Sequence, residues 1–195
     1  MLFRSANVMT EHYTEFLVDL TGKSPRNLKD SIRRVFNASA GFRQSWLSGE
    51  HQEAYETSQE AFEHLDYIQN ELLRQRDVHK SNAAMWPTSL FCSALTASVG
   101  HMISGVTPTD RMWFLNLSQG AGSMPAGSAP TLLTLEKALN KLKHRDLVAI
   151  NFSLPASGGH TLYLFTNAGM GQLDSLSEMH VSAFCTACKS AASHI

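Results

Sequence analysis

The chain has 195 residues, of which 43% are hydrophobic and 17% are charged. This composition is typical of a globular protein and argues against global disorder. The net charge is −1, which argues against broad electrostatic binding of nucleic acid or of an anionic membrane. No apolar run is long enough to predict a membrane span. The N-terminus lacks the apolar stretch of a secretory signal peptide. We therefore expect folding in the cytosol, and export by another route is left open.

Residues 1–80 are predicted to form a helical N-terminal region, and residues 81–195 a core that packs with it as one unit. The stretch from His51 to Asp77 carries apolar residues at helical spacing, with charges on the other faces. These apolar positions are Tyr55, Phe62, Leu65, Tyr67 or Ile68, and Leu72. Such a helix is either a scaffold or a surface for a protein partner.

A long buried helix is predicted next, beginning close to Cys92 and ending at Gly105. Apolar residues recur every fourth position at Leu95, Val99 and Ile103, as on one face of a helix. With Ser89 or Thr88 as N-cap, Cys92 lies in the first turn, where free N–H groups and the helix dipole favour a thiolate. His101 then lies on another side of that helix, and we interpret it as structural.

The last part of the chain is predicted to be mainly β-structure. RMWFLNL (111–117) is predicted as a strand, the Gly/Ser/Ala/Pro-rich stretch 118–130 as a loop, and 131–144 as a helix. Three alternating apolar stretches then predict an antiparallel meander. They are DLVAINFSL (146–154), HTLYLF (160–165) and MGQLDS (170–175). The fold class predicted from this order is α+β.

The hairpin GGHTLYLFTNAGMGQLDS (158–175) carries His160 at the start of one strand and Asp174 at the end of the next. A three-residue loop Asn167-Ala168-Gly169 would place Asp174 opposite Leu162. His160 and Asp174 would then be diagonal neighbours on one face of the sheet. A carboxylate in that position orients an imidazole, and an imidazole activates a thiol. Cys92, His160 and Asp174 therefore satisfy the chemical needs of a Cys-His-Asp triad.

A cysteine at a helix start, a strand headed by His and a neighbouring strand with Asp resemble the papain-like cysteine peptidases. The short distance from His160 to Asp174 is similar to that in bacterial effector peptidases of the YopT and AvrPphB type and in effector glutamine deamidases. The resemblance covers residues 86–176. It implies Cys92 as nucleophile, His160 as general base and acid, and Asp174 as the orienting carboxylate of a cysteine protease secreted as a virulence effector.

The chain departs from the papain-like pattern at the oxyanion hole, because no Gln or Asn lies just before Cys92. The backbone N–H of Cys92 is one candidate donor. Asn82, Thr88 and Ser89 are auxiliary candidates, and Gln172 is an alternative third member of the triad. The predicted reaction is hydrolysis of a protein amide through a thioester, without a metal or other cofactor.

Three alternatives remain at this stage. The same triad would serve a glutamine deamidase acting on a host protein. A second possibility is a non-catalytic interaction module whose N-terminal helices bind a partner. The third is a small zinc site formed by Cys185, Cys188 and His180. The C-x-x-C spacing of Cys185 and Cys188 also fits two small apolar residues one helical turn apart, which is the interpretation we favour.

Overall fold

The computed structural model describes residues 26–156, 158–167 and 173–195. Within these ranges the chain is an α+β protein with six α-helices and a five-stranded sheet. The helices are α1 (Arg26–Leu47), α2 (His51–Lys80), α3 (Leu90–Leu95), α4 (Pro108–Leu115), α5 (Leu135–Lys143) and α6 (Val181–Ala192). The strands are β1 (Ser98–Ser104), β2 (Thr131–Thr134), β3 (Arg145–Ser153), β4 (Thr161–Thr166) and β5 (Ser175–His180).

The sheet is antiparallel throughout, with the strand order β2-β1-β5-β4-β3. Strands β3, β4 and β5 form an antiparallel meander, as the sequence predicts, but the position predicted for its third strand is wrong: β5 is Ser175–His180 and not 170–175. Residues 170–172 of the predicted strand lie outside the described residues. Strands β1 and β2 extend the sheet beyond β5. Helices α1, α2, α5 and α6 cover one face, which we call the helical face. Its core includes Leu28, Ile68, Leu139, Leu164 and Phe184, all almost completely buried.

The opposite face of the sheet, which we call the second face, is covered by a smaller apolar cluster. Phe114 of α4 packs there against Ile103, Phe165 and Leu176. His101, Glu178 and His180 project from this same face, because His101 pairs with Glu178 and side chains alternate along each strand. Among the described residues, no helix combines the length and apolarity needed to cross a bilayer.

Helices α1 and α2 form a hairpin joined by a tight turn at Gly49. The N–H of Glu50 donates to the carbonyl of Ser45, and the N–H of Gly49 donates to that of Trp46. This pair of bonds is the Schellman arrangement, which needs a left-handed residue just after the helix. Gly49 supplies it with a φ of 80°. The predicted apolar stripe of α2 is confirmed at Leu65, Ile68 and Leu72, which are buried in the core, whereas Tyr55 at its start is exposed.

The long helix predicted around Cys92 is wrong. Helix α3 ends at Leu95, and the chain continues as strand β1. Val99 lies in the core of the helical face and Ile103 in the cluster of the second face. Their fourth-residue spacing resembles a helical stripe, but β1 is a strand buried on both faces. The register shift between Ser98 and Gly100 interrupts the alternation, so Val99 and Ile103 lie on opposite faces. His101 accordingly lies on a strand and not on the helix of Cys92.

The strand predicted at 111–117 is also wrong, because this stretch lies largely in helix α4. Thr107 and Asp110 form a capping box: the Asp110 N–H donates to the Thr107 hydroxyl oxygen, and the Thr107 N–H donates to the Asp110 carboxylate. Pro108 occupies the first helical position, where a proline is favoured. The helix predicted at 131–144 is shorter, since residues 131–134 form strand β2.

Candidate functional site

A cavity of about 390 Å³ lies between the α1–α2 hairpin and the helical face of the sheet. This volume falls within the usual range for small-molecule sites. Its lining is mostly apolar and includes the aromatic residues Phe42, Trp46, Tyr55, Phe62 and Phe152. Tyr55 is 58% exposed, so the cavity reaches solvent beside the first turns of α2.

Aromatic rings pack in alternating orientations along the wall between α1 and β3. Phe42 and Trp46 stand one helical turn apart on α1, and each meets the ring of Phe152 edge to face, at 4.8 and 4.7 Å between centroids. His160 stacks on Phe42 with its ring centroid 4.9 Å away. Edge-to-face contacts stabilise pairs of aromatic rings, so the rings of this wall support one another.

His160 is the polar centre of the cavity. Its Nδ1 lies 3.1 Å from the hydroxyl oxygen of Ser39 on α1, and its backbone carbonyl accepts a bond from Val181. Burial, reinforced by the positive charge of Arg43, lowers the pKa of His160 from 6.5 to about 4. The imidazole is therefore neutral at pH 7. A neutral imidazole offers one donor and one acceptor nitrogen.

The turn before His160 is fixed to helix α1. The Arg43 guanidinium donates to the carbonyl oxygens of Gly159, at 2.9 Å, and Pro155, at 3.3 Å. This explains why a half-buried histidine stands just before β4: Arg43 and Ser39 hold the start of this strand against the hairpin. The contacts of Arg43 and Ser39 therefore position His160 within the cavity wall.

The Gly/Ser-rich stretch 118–130 closes one side of the cavity at the edge of β3. Asn151 accepts a bond from the N–H of Gly120 and donates to the carbonyl of Ser118. The N–H of Gly122 donates to the carbonyl of Phe152. This places Gln119 in the lining. The loop is therefore a fixed wall over its first residues.

The structure does not bring Cys92 and His160 together. Cys92 follows Phe91, whose ring contacts His79 in the last turn of α2 at 4.8 Å. His160 lines the same cavity as Tyr55, in the second turn of α2. The 24 residues from Tyr55 to His79 correspond to about 35 Å of helix at 1.5 Å per residue. Cys92 and His160 therefore lie towards opposite ends of α2.

The predicted pairing of His160 with Asp174 is wrong as well. Leu162 faces Met179 in the β4–β5 ladder and not Asp174. Asp174 precedes Ser175, which pairs with Thr166 at the far end of β4. The length of β4 thus separates the two side chains, a distance on the order of 20 Å. The Asp174 carbonyl accepts bonds from the N–H groups of Gly105 and Val106.

The oxyanion candidates lie near Cys92 and have structural partners. Ser89 is the N-cap, as predicted, and its hydroxyl oxygen accepts the Cys92 N–H at 3.0 Å. That N–H is therefore already bonded. The Thr88 hydroxyl donates to the carbonyl of Met85, and the carbonyl of Asn82 accepts bonds from the next turn. Gln172 lies outside the described residues.

Cys185 and Cys188 are buried side chains of α6, one helical turn apart, which confirms the favoured interpretation. Burial raises the pKa of Cys185 to about 12 and that of Cys188 well above its ordinary value. Metal binding by cysteine requires the thiolate. The structure does not bring together the zinc site considered for Cys185, Cys188 and His180, because the two cysteines lie in the core of the helical face and His180 projects from the second face.

The sequence points to His160 for a different role, and it does not mark Phe42, Trp46 or Phe152 as parts of one site. The one local signal was the spacing of Phe42 and Trp46, one turn apart on the predicted N-terminal helix. Their partners Phe152 and His160 lie more than a hundred positions away in the chain, so no local pattern joins them. No protein-family model matches the chain, and no curated protein or solved structure matches it.

Proposed function

We propose that this protein binds an uncharged, largely apolar small molecule in the cavity between the α1–α2 hairpin and the sheet. The observation that carries the proposal is the composition of the wall. Among the described residues that line the cavity, none is Asp, Glu, Lys or Arg. Of its two histidines, the half-buried His160 is neutral, and His51 lies at the exposed rim. A charged ligand would lose its hydration there without gaining a counter-charge.

The aromatic wall favours a ligand that contains a planar ring. Phe42, Trp46 and Phe152 present both faces and edges of rings, and aromatic ligands gain from offset or edge-to-face contact. The Ser39 hydroxyl and the His160 imidazole supply hydrogen-bonding atoms at one point of the wall. The ligand we expect is a ring compound with one polar group directed towards His160.

The test is a fluorescence titration with N-phenyl-1-naphthylamine, an uncharged probe with aromatic rings. We expect saturable binding to one site, with the blue shift of a probe that has left water. Ala38 lines the cavity, whereas Ala40, two residues along α1, is exposed. Ala38→Trp should weaken binding at least about tenfold, equivalent to about 1.4 kcal/mol, and Ala40→Trp should leave it unchanged.

Equal binding by Ala38→Trp and the wild type would overturn the proposal, as would the absence of saturable binding. The sulfonated analogue of the probe tests the uncharged character of the site. It should bind more weakly than the parent compound, since no Lys or Arg of the described residues lines the cavity. A preference for the sulfonate would contradict the assignment of ligand class.

The papain-like hydrolase predicted from the sequence, as peptidase or as deamidase, stays a prediction. Its mechanism requires contact between the thiol of Cys92 and the imidazole of His160. The arrangement described above offers no such contact, so the binding function is the one that the geometry supports. A protein partner for the N-terminal helices likewise remains a hypothesis from the sequence.

A further inference from the structure

A second constellation lies on the second face of the sheet, away from the cavity. His101 on β1 pairs directly with Glu178 on β5, and His180 follows two residues later on the same strand. Facing residues of neighbouring strands and alternate residues of one strand project from the same side. The strand register therefore brings two imidazoles and a carboxylate together, although His101 and His180 are 79 positions apart in the chain.

The three side chains have the spacing of metal ligands. One ligand atom from each lies within 4.8 Å of the others. Nε2 of His180 is 3.9 Å from Oε1 of Glu178, and the two imidazole rings stand edge to face. Nitrogens bound to one tetrahedral Zn²⁺ at about 2.0–2.1 Å lie roughly 3.3 Å apart. Small side-chain rotations would close the remaining gap.

A further residue already orients one of the ligands. The Thr161 hydroxyl lies 3.2 Å from Nδ1 of His180, across the β4–β5 ladder where these two residues pair. This contact leaves Nε2 directed towards Glu178. Metal-binding histidines commonly use the other ring nitrogen in this way, and the outer contact fixes the ring.

The backbone at the site is also unusually close-packed. Gly100 precedes His101, and a Cβ added there would lie 1.9 Å from the carbonyl oxygen of Glu178. Only a glycine permits this approach of β1 to β5. The close approach holds His101 opposite Glu178. All three side chains are half-buried, so an ion has a route from solvent while the strands keep the donors in place.

We propose that His101, Glu178 and His180 bind a divalent transition-metal ion, with Zn²⁺ as the ion that best fits the donor set. Two imidazoles and a carboxylate suit Zn²⁺ and its neighbours in the first transition row, whereas Ca²⁺ and Mg²⁺ prefer oxygen donors. Three protein ligands leave a coordination position for water or an external ligand. Among the described residues, this is the group of three potential ligands with metal-binding spacing.

The simpler alternative is an ion pair between His180 and Glu178 alone. An ion pair explains why Glu178 and His180 lie close together, but it does not explain why His101 lies beside them. Another His–Glu pair in the chain serves as a control for this alternative. On α2, Nε2 of His64 lies 3.8 Å from Oε1 of Glu60. A metal site and an ion pair therefore predict different behaviour for these two places.

The experiment is a titration of the full-length, metal-free protein with Co²⁺, followed by its visible absorption, and then with competing Zn²⁺. We expect one equivalent to bind, and His101→Asn and Glu178→Gln each to weaken binding at least about tenfold. His64→Asn should bind as the wild type does. Thermal unfolding of every variant checks that the fold is retained.

Three outcomes would overturn the proposal. The wild type could bind no Co²⁺ at all, or His101→Asn and Glu178→Gln could bind it as tightly as the wild type while remaining folded. An intense thiolate-to-cobalt charge-transfer band would place the ion on a cysteine instead. The cavity lies on the other face of the sheet, so probe binding and metal binding are tested independently.

Discussion

His160 illustrates how the surroundings of one residue decide its chemistry. A catalytic imidazole needs a pKa near the working pH and a carboxylate to support its charged form. His160 has instead a hydroxyl partner, an aromatic neighbour and the guanidinium of Arg43 nearby. Burial and the positive charge both favour the neutral ring. The residue therefore acts as an uncharged hydrogen-bonding group in an apolar wall.

The low pKa of His160 predicts a pH-dependent stability. In the folded protein this pKa is about 4, whereas the ordinary pKa of a histidine is 6.5. Between these values the unfolded chain binds the proton and the folded protein does not. The free energy of unfolding should therefore be at its full value above pH 6.5 and fall as the pH decreases to 4. The loss expected from this group is on the order of 3 kcal/mol.

Urea unfolding of the wild type and of His160→Gln, at pH values from 7 to 4, measures this contribution. The other histidines and the carboxylates titrate in both proteins, so the difference between the two curves isolates His160. We expect the wild type to lose more stability than His160→Gln over this range. Parallel curves would show that the imidazole is not buried as described. His194→Gln, at an exposed position, serves as the control.

At the scale of elements, two glycines of helix α1 and its C-terminal turn differ in backbone conformation, so that alanine should be favourable at one and unfavourable at the other. Gly41 lies inside the helix, and a Cβ added there would meet only a methyl group of Thr57 at 3.8 Å. Gly49 ends the helix in a left-handed conformation. Gly41→Ala should raise the free energy of unfolding by about 0.8–1 kcal/mol through helix propensity. Gly49→Ala should lower it by about 1–2 kcal/mol through left-handed strain.

Equilibrium unfolding of both variants beside the wild type checks this pair, since the same chemical change is made at two places. A destabilising Gly41→Ala would mean that the helix is interrupted there. A neutral Gly49→Ala would mean that the turn between α1 and α2 is not the Schellman turn described. Because this turn positions Trp46 beside His51, Gly49→Ala should also weaken probe binding in the cavity.

Several elements could be predicted from local signals. The stripe of Leu65 and Leu72 specifies α2, and alternation specifies β3 and β4, because each pattern is read within one element. Helix α4 could have been predicted too, since Thr107, Pro108 and Asp110 form a recognisable helix start. Strand β1 could not, because a strand buried on both faces shows no alternation.

The position of β5 shows why the site prediction failed. The sequence predicted this strand at 170–175, whereas it lies at Ser175–His180. The prediction placed Asp174 opposite Leu162, and the ladder places Met179 there. Strand order and alternation do not determine the register between β4 and β5. The register depends on the connecting loop and on what each face of the strands packs against. Met179 belongs to the core of the helical face. Its burial fixes the register and sends Asp174 to the other end of the strand.

At the scale of the whole molecule, the two proposed sites lie on opposite faces of the sheet. The cavity requires α1, α2, β3 and β4, and the cluster of His101, Glu178 and His180 requires β1 and β5. Neither set is contiguous in the chain, so both sites follow from the topology and not from a motif. A ligand in the cavity and an ion on the second face should each stabilise the folded protein by mass action.

The separation of Cys92 from His160 gives the prediction that distinguishes a binding protein from a cysteine hydrolase. With the two side chains at opposite ends of α2, His160→Gln should leave the rate of Cys92 alkylation by iodoacetamide unchanged at every pH between 5 and 8. Peptide mass spectrometry resolves the three cysteines. Cys185 and Cys188 are internal references, because burial and their raised pKa values confine their alkylation to unfolded chains.

A hydrolase triad would behave in the opposite way. The imidazolium would hold Cys92 as a thiolate well below the ordinary pKa of a thiol, about 8.5, and His160→Gln would slow alkylation in the acidic range by at least about tenfold. Asp174→Asn would produce a smaller effect in the same direction. Such a result would require α3 to move to the other end of α2, so it would overturn the packing of Phe91 against His79 together with the function proposed here.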